Sequence, residues 1–488
     1  MAHLPPEILT IIFRYLGPAI DPSIYFREFD ARRDQVNALY VCRAWNFHLS
    51  AEFHRNLVIL HPERLPALTV AVLASRRLAE AARHFKILTW TQHTPPVKYP
   101  GPLPENVRAR VRQLSKSAEE QGQWCNDLLI NKEDAWLALL LVSLPNLTSF
   151  GCHWRPTYDE WIPIMVARAA YHELTPPALQ HLERLEVEEA HDDESMPEYH
   201  VARYFLPFFH LPSMRSLHAI NFNEYDTASP EINHPAFQSA PGTSPIESLE
   251  LSYSNGRYGL AGLITSCANL KSLDYQHHWS TPSYNLQFRP RAFYEPLATQ
   301  SHSLEVLHFS DWGPVYYPWA DDDDEKAADE CDRWLGSLAH FDRLRELHIR
   351  APNLLNFDQR DRDATGRIKK LADLLPRSLR SLKLTDCPKK HTTDLVDNLA
   401  DFLSHREDMF PGLERLTIVT KVAEGSSREL YSGSKLRRSP YGIPFIPVRV
   451  ACEEVGVEFT LDINETGEGN DWEWEVEDRE LDEFSDDE

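Results

Sequence analysis

One short pattern, apolar-x-x-apolar-x-apolar, recurs nine times along the chain. Successive copies lie 24 to 40 residues apart, with a mean spacing of about 33. A unit of this size cannot bury its own apolar face, so neighbouring units must stack against one another in an elongated array. This repeat constrains the fold more than any other feature of the chain. The copies begin at Leu147, Leu182, Met214, Ile246, Leu270, Leu304, Leu344, Leu379 and Leu413.

The sharpest copy is LRSLKLTDC, in which Leu379, Leu382, Leu384 and Cys387 occupy the patterned positions. It resembles the leucine-rich repeat, whose consensus is L-x-x-L-x-L-x-x-N/C. The other copies match less closely, and those at Leu147 and Met214 are degenerate. The spacing is also longer than the roughly 20 to 29 residues of common leucine-rich repeats.

The segments between copies account for the extra length, because they space apolar residues at three or four positions as amphipathic helices do. Examples are TYDEWIPIMVARAAYHEL, EKAADECDRWLGSLAHF and HTTDLVDNLADFLSHRE. Each unit is therefore expected to be one strand plus one helix. The predicted fold class is α/β, a curved solenoid whose concave side is a parallel sheet. The alternative is a set of unrelated leucine-rich helices in an ordinary α/β protein.

The same pattern predicts which side chains line the concave side. In each copy the residue between the last two apolar positions points away from the core, because strand side chains alternate between faces. The predicted row is Gly151, Glu186, His218, Glu250, Asp274, His308, His348, Lys383 and Thr417. A second exposed row is predicted two positions later, at His153, Glu188, Ile220, Ser252, Gln276, Ser310, Arg350, Thr385 and Val419.

We hypothesise that these rows form a bipolar surface for an unidentified protein substrate. The early half is acidic and favours a basic segment, whereas the later half favours an acidic or phosphorylated one. The alternative is a solvated face whose charges only maintain solubility. The acidic candidates are Glu186, Glu188, Glu250 and Asp274, and the later candidates are His308, His348, Arg350 and Lys383.

The first 60 residues do not follow the repeat. They open with LPPEILTIIFRYL, where Pro5 and Pro6 suit a helix entry and Glu7 suits its first turn. A second helical patch, VNALYVCRAWNFHL, follows 20 residues later. Each patch presents an apolar stripe at helical spacing.

These two patches resemble the F-box, a small helical module. The resemblance implies docking on the Skp-type adaptor of a cullin-RING (SCF-type) ubiquitin ligase, while the leucine-rich repeats bind the substrate. One departure is the 25 positions between Leu16 and Val41, about a dozen more than F-box motifs usually show. The adaptor-binding residues that the resemblance implies are Leu4, Pro5, Ile8, Leu9, Ile12, Phe13, Leu16, Val41, Cys42 and Trp45.

Charge is very unevenly distributed. The formal net charge is -24, and half of it lies in residues 465–488, which hold thirteen acidic side chains against Arg479. Residues 61–120 carry a net +5 and residues 421–449 a net +4. The acidic segment interleaves carboxylates with Trp472, Trp474, Leu481 and Phe484, a composition typical of disordered tails. The overall acidity disfavours nucleic acid as the main partner.

Seven cysteines, an odd number with no close pair, argue against a disulfide framework and against a zinc site. The amino-terminal residues lack the basic region of a signal peptide, and no apolar run reaches the roughly 18 residues of a membrane span. We therefore expect a protein of the cytoplasm or nucleus that does not act at a membrane.

No catalytic motif is recognisable, and neither a metal nor a cofactor is expected. The acidic run 321–325 precedes a helical segment and lacks the ligand spacing of a calcium loop. The favoured function is a non-catalytic substrate receptor of a ubiquitin ligase. The alternatives are a leucine-rich-repeat scaffold that acts without ubiquitylation and, least favoured, an enzyme with an unrecognised site.

The predicted organisation has four parts. An F-box-like module covers 1–60, and a helical linker with a first irregular repeat covers 61–145. The leucine-rich-repeat solenoid covers 146–463, with a flexible insertion at 421–449, and an acidic tail covers 464–488.

Overall fold

The computed structural model describes residues 36–59, 62–87, 98–153, 161–188, 200–224, 234–256, 258–277, 288–311, 334–355, 370–387, 391–422 and 443–465. Within these ranges one sheet of twelve parallel strands dominates the molecule, and all nine copies of the repeat supply a strand to it. Strands β1 and β14 form its two edges, so the sheet is open. The strands are β1 (Asn56–Ile59), β2 (His84–Ile87), β3 (Ser149–His153), β4 (Arg184–Glu188), β6 (Ser216–Ile220), β8 (Ser248–Ser254), β9 (Ser272–His277), β10 (Val306–Asp311), β11 (Glu346–Arg350), β12 (Ser381–Thr385), β13 (Arg415–Val422) and β14 (Glu458–Glu465).

Two short strands, β5 (His200–Val201) and β7 (Phe222–Asn223), pair with each other outside the main sheet. Helices occupy most of the described connections between strands, as the spacing of apolar residues predicted. The predicted helix in EKAADECDRWLGSLAHF is an exception, because its described part, residues 334–341, forms no helix, so that prediction was wrong there. The α-helices of the described residues are α1 (Arg43–Phe53), α2 (Leu65–Ala74), α3 (Arg76–Ala81), α4 (Glu105–Leu114), α5 (Ala118–Leu129), α6 (Glu133–Leu141), α7 (Trp161–Ala170), α8 (Leu206–Phe209), α9 (Ala261–Ser266), α10 (Pro290–Ala298), α11 (Ala351–Leu354), α12 (Leu371–Leu374), α13 (Thr392–Ser404), α14 (Arg406–Met409) and α15 (Ile446–Val455).

The core lies between the helices and one face of the sheet. In the copy that matches the consensus best, Leu379, Leu382 and Leu384 are all fully buried. The helix that follows, α13, turns its buried Leu395, Leu399 and Phe402 toward the same core, at the spacing of a helix face. Each unit thus buries a strand face and a helix stripe against its neighbours, as a stacked array requires.

The sheet extends beyond the span 146–463 that the repeats predicted. Strands β1 and β2 precede the first recognised copy, and β14 follows the last and runs to residue 465. All three pair in the same register as the other strands. However, the first position of the pattern, where most copies have leucine, is His54 for β1, Ala82 for β2 and Gly456 for β14. A pattern search for large apolar residues therefore misses them.

Candidate interaction surface

The face of the sheet opposite the helices carries one continuous row of aligned residues, which we call the polar ladder. Parallel pairing places its members side by side on all twelve strands. The nine residues predicted for the row are all in it and in the predicted order. From β1 to β14 the polar ladder is Val58, Lys86, Gly151, Glu186, His218, Glu250, Asp274, His308, His348, Lys383, Thr417 and Thr460.

A further row, two residues earlier on each strand, faces the same way and was not predicted. Its members include Arg184 and Glu346, which ion-pair with residues of the polar ladder. The alternation of strand side chains implies this row as firmly as it implies the later one. Extending the predicted strand by two residues toward its amino end would have found it.

Near its β1 end, the polar ladder contains an ion pair that spans an intervening strand. Lys86 Nζ lies 3.8 Å from Glu186 Oε2, although β3 separates their two strands. The residue between them is Gly151, where an added Cβ would lie 3.2 Å from Lys86 Cγ and 3.6 Å from Glu186 Oε2. Glycine leaves the space in which the two side chains meet. Arg184 adds a second cation, 3.6 Å from Glu186 Oε1.

Histidines hold the next carboxylates. His218 Nδ1 lies 3.1 Å from Glu250 Oε2, and this hydrogen bond holds the pKa of Glu250 below its ordinary value. His308 contacts two carboxylates, with Nδ1 3.0 Å from Asp274 Oδ2 and Nε2 3.2 Å from Glu346 Oε1. An ionised carboxylate only accepts hydrogen bonds, so both contacts are made at once only by the protonated ring. The bonds to Asp274 and Glu346 accordingly raise the pKa of His308.

The next histidine along the polar ladder behaves in the opposite way. The rings of His308 and His348 stand 5.6 Å apart, edge to face. Burial, together with the charges of Lys383 and His308, lowers the pKa of His348 to about 4. Its Nε2 is buried and has no hydrogen-bond partner among the described residues. His348 is therefore neutral near pH 7, whereas the pKa of His308 is shifted in the opposite direction.

Arg350, predicted to be exposed, is instead buried, with 6 % of its surface accessible, so that prediction was wrong. Its Nε lies 2.7 Å from Asp386 Oδ2, and both side chains are almost fully enclosed. Asp386 adopts a positive φ of 51° just after β12, which places it across from the end of β11.

Val419, which belongs to the same predicted row as Arg350, is also buried. Glu188 lies beside His153 in the backbone register, and its side chain lies outside the described part of the chain.

These contacts change the charge pattern expected of the surface. Of the four later candidates, Arg350 is buried, His348 is neutral near pH 7 and His308 is enclosed by two carboxylates. Lys383 alone of that group remains as an ordinary half-exposed cation. The surface is thus acidic along its middle strands, from Glu250 to Glu346, with cations toward both sides.

Only three of the ten residues predicted to bind an adaptor are described, since Leu4, Pro5, Ile8, Leu9, Ile12, Phe13 and Leu16 lie outside the described ranges. Cys42 caps α1, its Sγ accepting a hydrogen bond from Trp45 N at 3.5 Å. Trp45 packs against Ala38 and Leu49 in a small apolar cluster separate from the main core. Val41 just before the cap is 59 % exposed, and its neighbour Tyr40 is 81 % exposed.

Within the described residues, no three His, Cys, Asp or Glu side chains are placed to hold a metal ion. The described helices include none that combines the length and apolarity needed to cross a bilayer. No disulfide bond links the six cysteines in these ranges.

An open parallel sheet backed by helices, with an aligned polar face, defines a repeat protein of the kind that binds other proteins. A family model for the leucine-rich repeat domain matches residues 104–429, about two thirds of the chain. The chain belongs to this family, and its repeats form a protein-interaction scaffold. No curated protein matches the chain significantly.

Proposed function

We propose that the chain is a substrate-recognition subunit of an SCF-type ubiquitin ligase, acting in the cytoplasm or nucleus. In this proposal the F-box-like residues 1–60 dock on a Skp-type adaptor, and the polar ladder binds a protein substrate. The chain itself supplies no acid, base or nucleophile, because other subunits carry the ubiquitin thioester. Its contribution is proximity, which raises the effective concentration of a substrate lysine near the conjugating enzyme.

The exposure of Tyr40 and Val41 is the observation that supports the docking role best. These large apolar side chains lie in the middle of the VNALYVCRAWNFHL patch, beside the small cluster around Trp45. A module of about 50 residues buries too little apolar surface to be stable on its own and gains stability from a partner. Exposed apolar residues next to a small, separate cluster are what such a partner would cover.

The substrate side of the proposal rests on the acidic middle of the polar ladder. Glu250 and Asp274 lie on the adjacent strands β8 and β9, and Glu346 lies on β11 in the row beside the polar ladder. Together these carboxylates favour a partner with a basic, extended segment. A charged interface of this kind contributes more to the specificity of binding than to its affinity.

The docking role is tested by binding of the full chain to an immobilised recombinant Skp-type adaptor. Loss of an interface anchor typically costs about 2 kcal/mol, or about 30-fold in Kd. Leu9→Asp together with Ile12→Asp should therefore abolish measurable binding. Val41→Asp should weaken binding without changing the free energy of unfolding, because Val41 is already exposed.

The matched control changes two exposed apolar residues of the repeat region, Tyr258→Asp together with Val450→Asp. This variant should bind the adaptor as the unaltered chain does. Undiminished adaptor binding by a folded Leu9/Ile12 variant would refute the docking role.

A second function is favoured by one observation, the 25 positions between Leu16 and Val41, which are longer than in ordinary F-box motifs. The chain would then be a leucine-rich-repeat scaffold whose amino-terminal helices serve assembly without ubiquitylation. Failure of the unaltered full chain to bind the adaptor, with partners still captured through the polar ladder, would select this function.

A further inference from the structure

An open groove of about 580 Å³ lies at the amino-terminal edge of β1 and β2, where α1 and α3 meet. We call it the arginine groove, because four arginines and two glutamates dominate its lining. The charged side chains are Glu52, Arg55, Arg76, Arg77, Glu80 and Arg83.

The carboxylates of the groove do not balance its cations. Arg76 Nε lies 2.7 Å from Glu80 Oε1, whereas the nearest approach of Arg55 to Glu52 is 3.9 Å. Arg83 donates to the backbone carbonyl groups of Glu80 at 2.8 Å and Ala82 at 3.2 Å, so its described partners are neutral. The six charged side chains that line the groove have a net charge of +2.

Two neighbouring histidines respond to this positive charge. Burial and then the charge of Arg77 lower the pKa of His54. Burial and then the charges of Arg55, Arg83 and Arg184 lower the pKa of His84. The arginines nevertheless remain within reach of a ligand, since the side chain of Arg76 is 91 % exposed and that of Arg55 is 44 % exposed. The geometry is that of a site for an anionic polypeptide segment.

The chain carries such a segment at its own end. Residues 466–488 hold twelve acidic side chains against Arg479 and include Trp472 and Trp474. Guanidinium groups bind carboxylates in bidentate geometry and also stack on tryptophan rings, so this composition suits an arginine-lined groove. The polar ladder is acidic along its middle and would repel the same segment.

The segment is also long enough to reach the groove. Eleven steps between twelve strands at about 4.8 Å span about 53 Å of sheet. The segment starts at the carboxyl end of β14 and the groove lies at the amino ends of β1 and β2, which adds an offset of about 26 Å along the strands and makes the direct distance about 59 Å. Twenty-three extended residues cover about 76 Å at about 3.3 Å each, so about five residues remain, and the last five, 484–488, include three carboxylates.

We propose that the arginine groove binds the acidic segment 466–488 of the same chain. Because Glu52 belongs to α1, the bound segment lies beside the amino-terminal helical module. The groove and the polar ladder are then two separate binding surfaces of opposite charge.

A photo-crosslinker in the full chain tests the proposal, with Phe484→p-benzoylphenylalanine placing the reactive ring among the last carboxylates. After irradiation, mass spectrometry of the monomer-sized product should map crosslinks to residues 52–55 and 76–83. Arg76→Glu together with Arg77→Glu should reduce their yield about tenfold or more, since charge-assisted hydrogen bonds are lost. Raising salt from about 50 mM to about 500 mM should also reduce it, because screening weakens exposed charge pairs.

The matched control is Arg343→Glu together with Arg377→Glu, an equal change of charge at exposed arginines of the repeat region. Circular dichroism confirms that both double variants are folded, and the control should keep the crosslinks. Three results would overturn the proposal: crosslinks mainly to 421–449 or to the polar ladder, a product of dimer size, or groove crosslinks that the Arg76/Arg77 reversal leaves unchanged.

Discussion

The two faces of the twelve-stranded sheet differ in how much the residue type changes from one strand to the next. On the buried face, neighbouring strands repeat nearly the same residue, and Leu347, Leu382 and Leu416 stand side by side with no exposed surface. On the other face the aligned neighbours are His348, Lys383 and Thr417. Packing against the helices restricts volume and polarity on one face, while solvent leaves the other free to vary. We conclude that the buried face determines the fold, and under the proposed function the polar ladder selects the partner.

The difference between the two faces is largest at two adjacent residues of β12, Leu382 and Lys383. Leu382→Ala should lower the free energy of unfolding by about 2–5 kcal/mol, because it leaves a cavity in a fully enclosed position. Lys383→Ala should change it by less than about 0.5 kcal/mol, because the side chain is only half-buried and lies on the solvated face. Urea denaturation followed by circular dichroism measures both. Equal effects at the two positions would contradict the division between faces.

The buried pair of Arg350 and Asp386 is an exception to that division. Asp386→Asn keeps the size of the side chain and tolerates the positive φ, but it leaves the Arg350 charge without its buried counter-ion. We expect a loss of about 2–3 kcal/mol in the free energy of unfolding. Adding Arg350→Met should recover part of that loss, because no charge is then buried. If the double variant is less stable than Asp386→Asn alone, the buried charge of Arg350 is not the cause of the lost stability.

The two neighbouring histidines should titrate in opposite directions from the ordinary value of 6.5. The raised pKa of His308 stabilises the fold fully below pH 6.5, and this contribution is lost as pH rises through the folded-state pKa. The pKa of His348, lowered to about 4, makes its contribution fall as pH drops from 6.5 toward 4. Nuclear magnetic resonance of histidine-labelled protein measures both.

Asp274→Asn is the matched variant, since it removes the largest cause of the His308 shift. It should lower the pKa of His308 clearly. At His348 two effects oppose each other, because the charge of Asp274 raises its pKa and the charge of His308 lowers it. A pKa of His308 that does not fall in the variant would contradict the assignment.

Sequence alone predicted nine strands and the alignment of Glu186, Glu250, Asp274, His308 and Lys383, because strand periodicity and register determine both. It did not predict the contacts between strands. The bridge from Lys86 over Gly151 depends on which residues become neighbours, and these are far apart in the chain.

The burial of Arg350 was missed for a related reason. Its partner Asp386 lies two residues beyond the last patterned leucine of the next repeat, where the repeat pattern carries no information about conformation. Strands β1 and β14 were missed because His54 and Gly456 replace the leucine that marks a copy. Strand β2 lies within the span 61–145 predicted to hold an irregular repeat, but Ala82 at the same position left its place there undefined.

The most direct test of the proposed receptor is quantitative affinity capture from cells with the proteasome blocked, using three full-length forms. These are the unaltered chain, Leu9→Asp with Ile12→Asp, and Glu186→Lys with Glu250→Lys. We predict that the first variant loses the Skp-type adaptor and the cullin but keeps the other partners. The second should keep the adaptor and lose a distinct set of partners. Retention of the adaptor by the Leu9/Ile12 variant, or loss of the same proteins by both variants, would contradict the account.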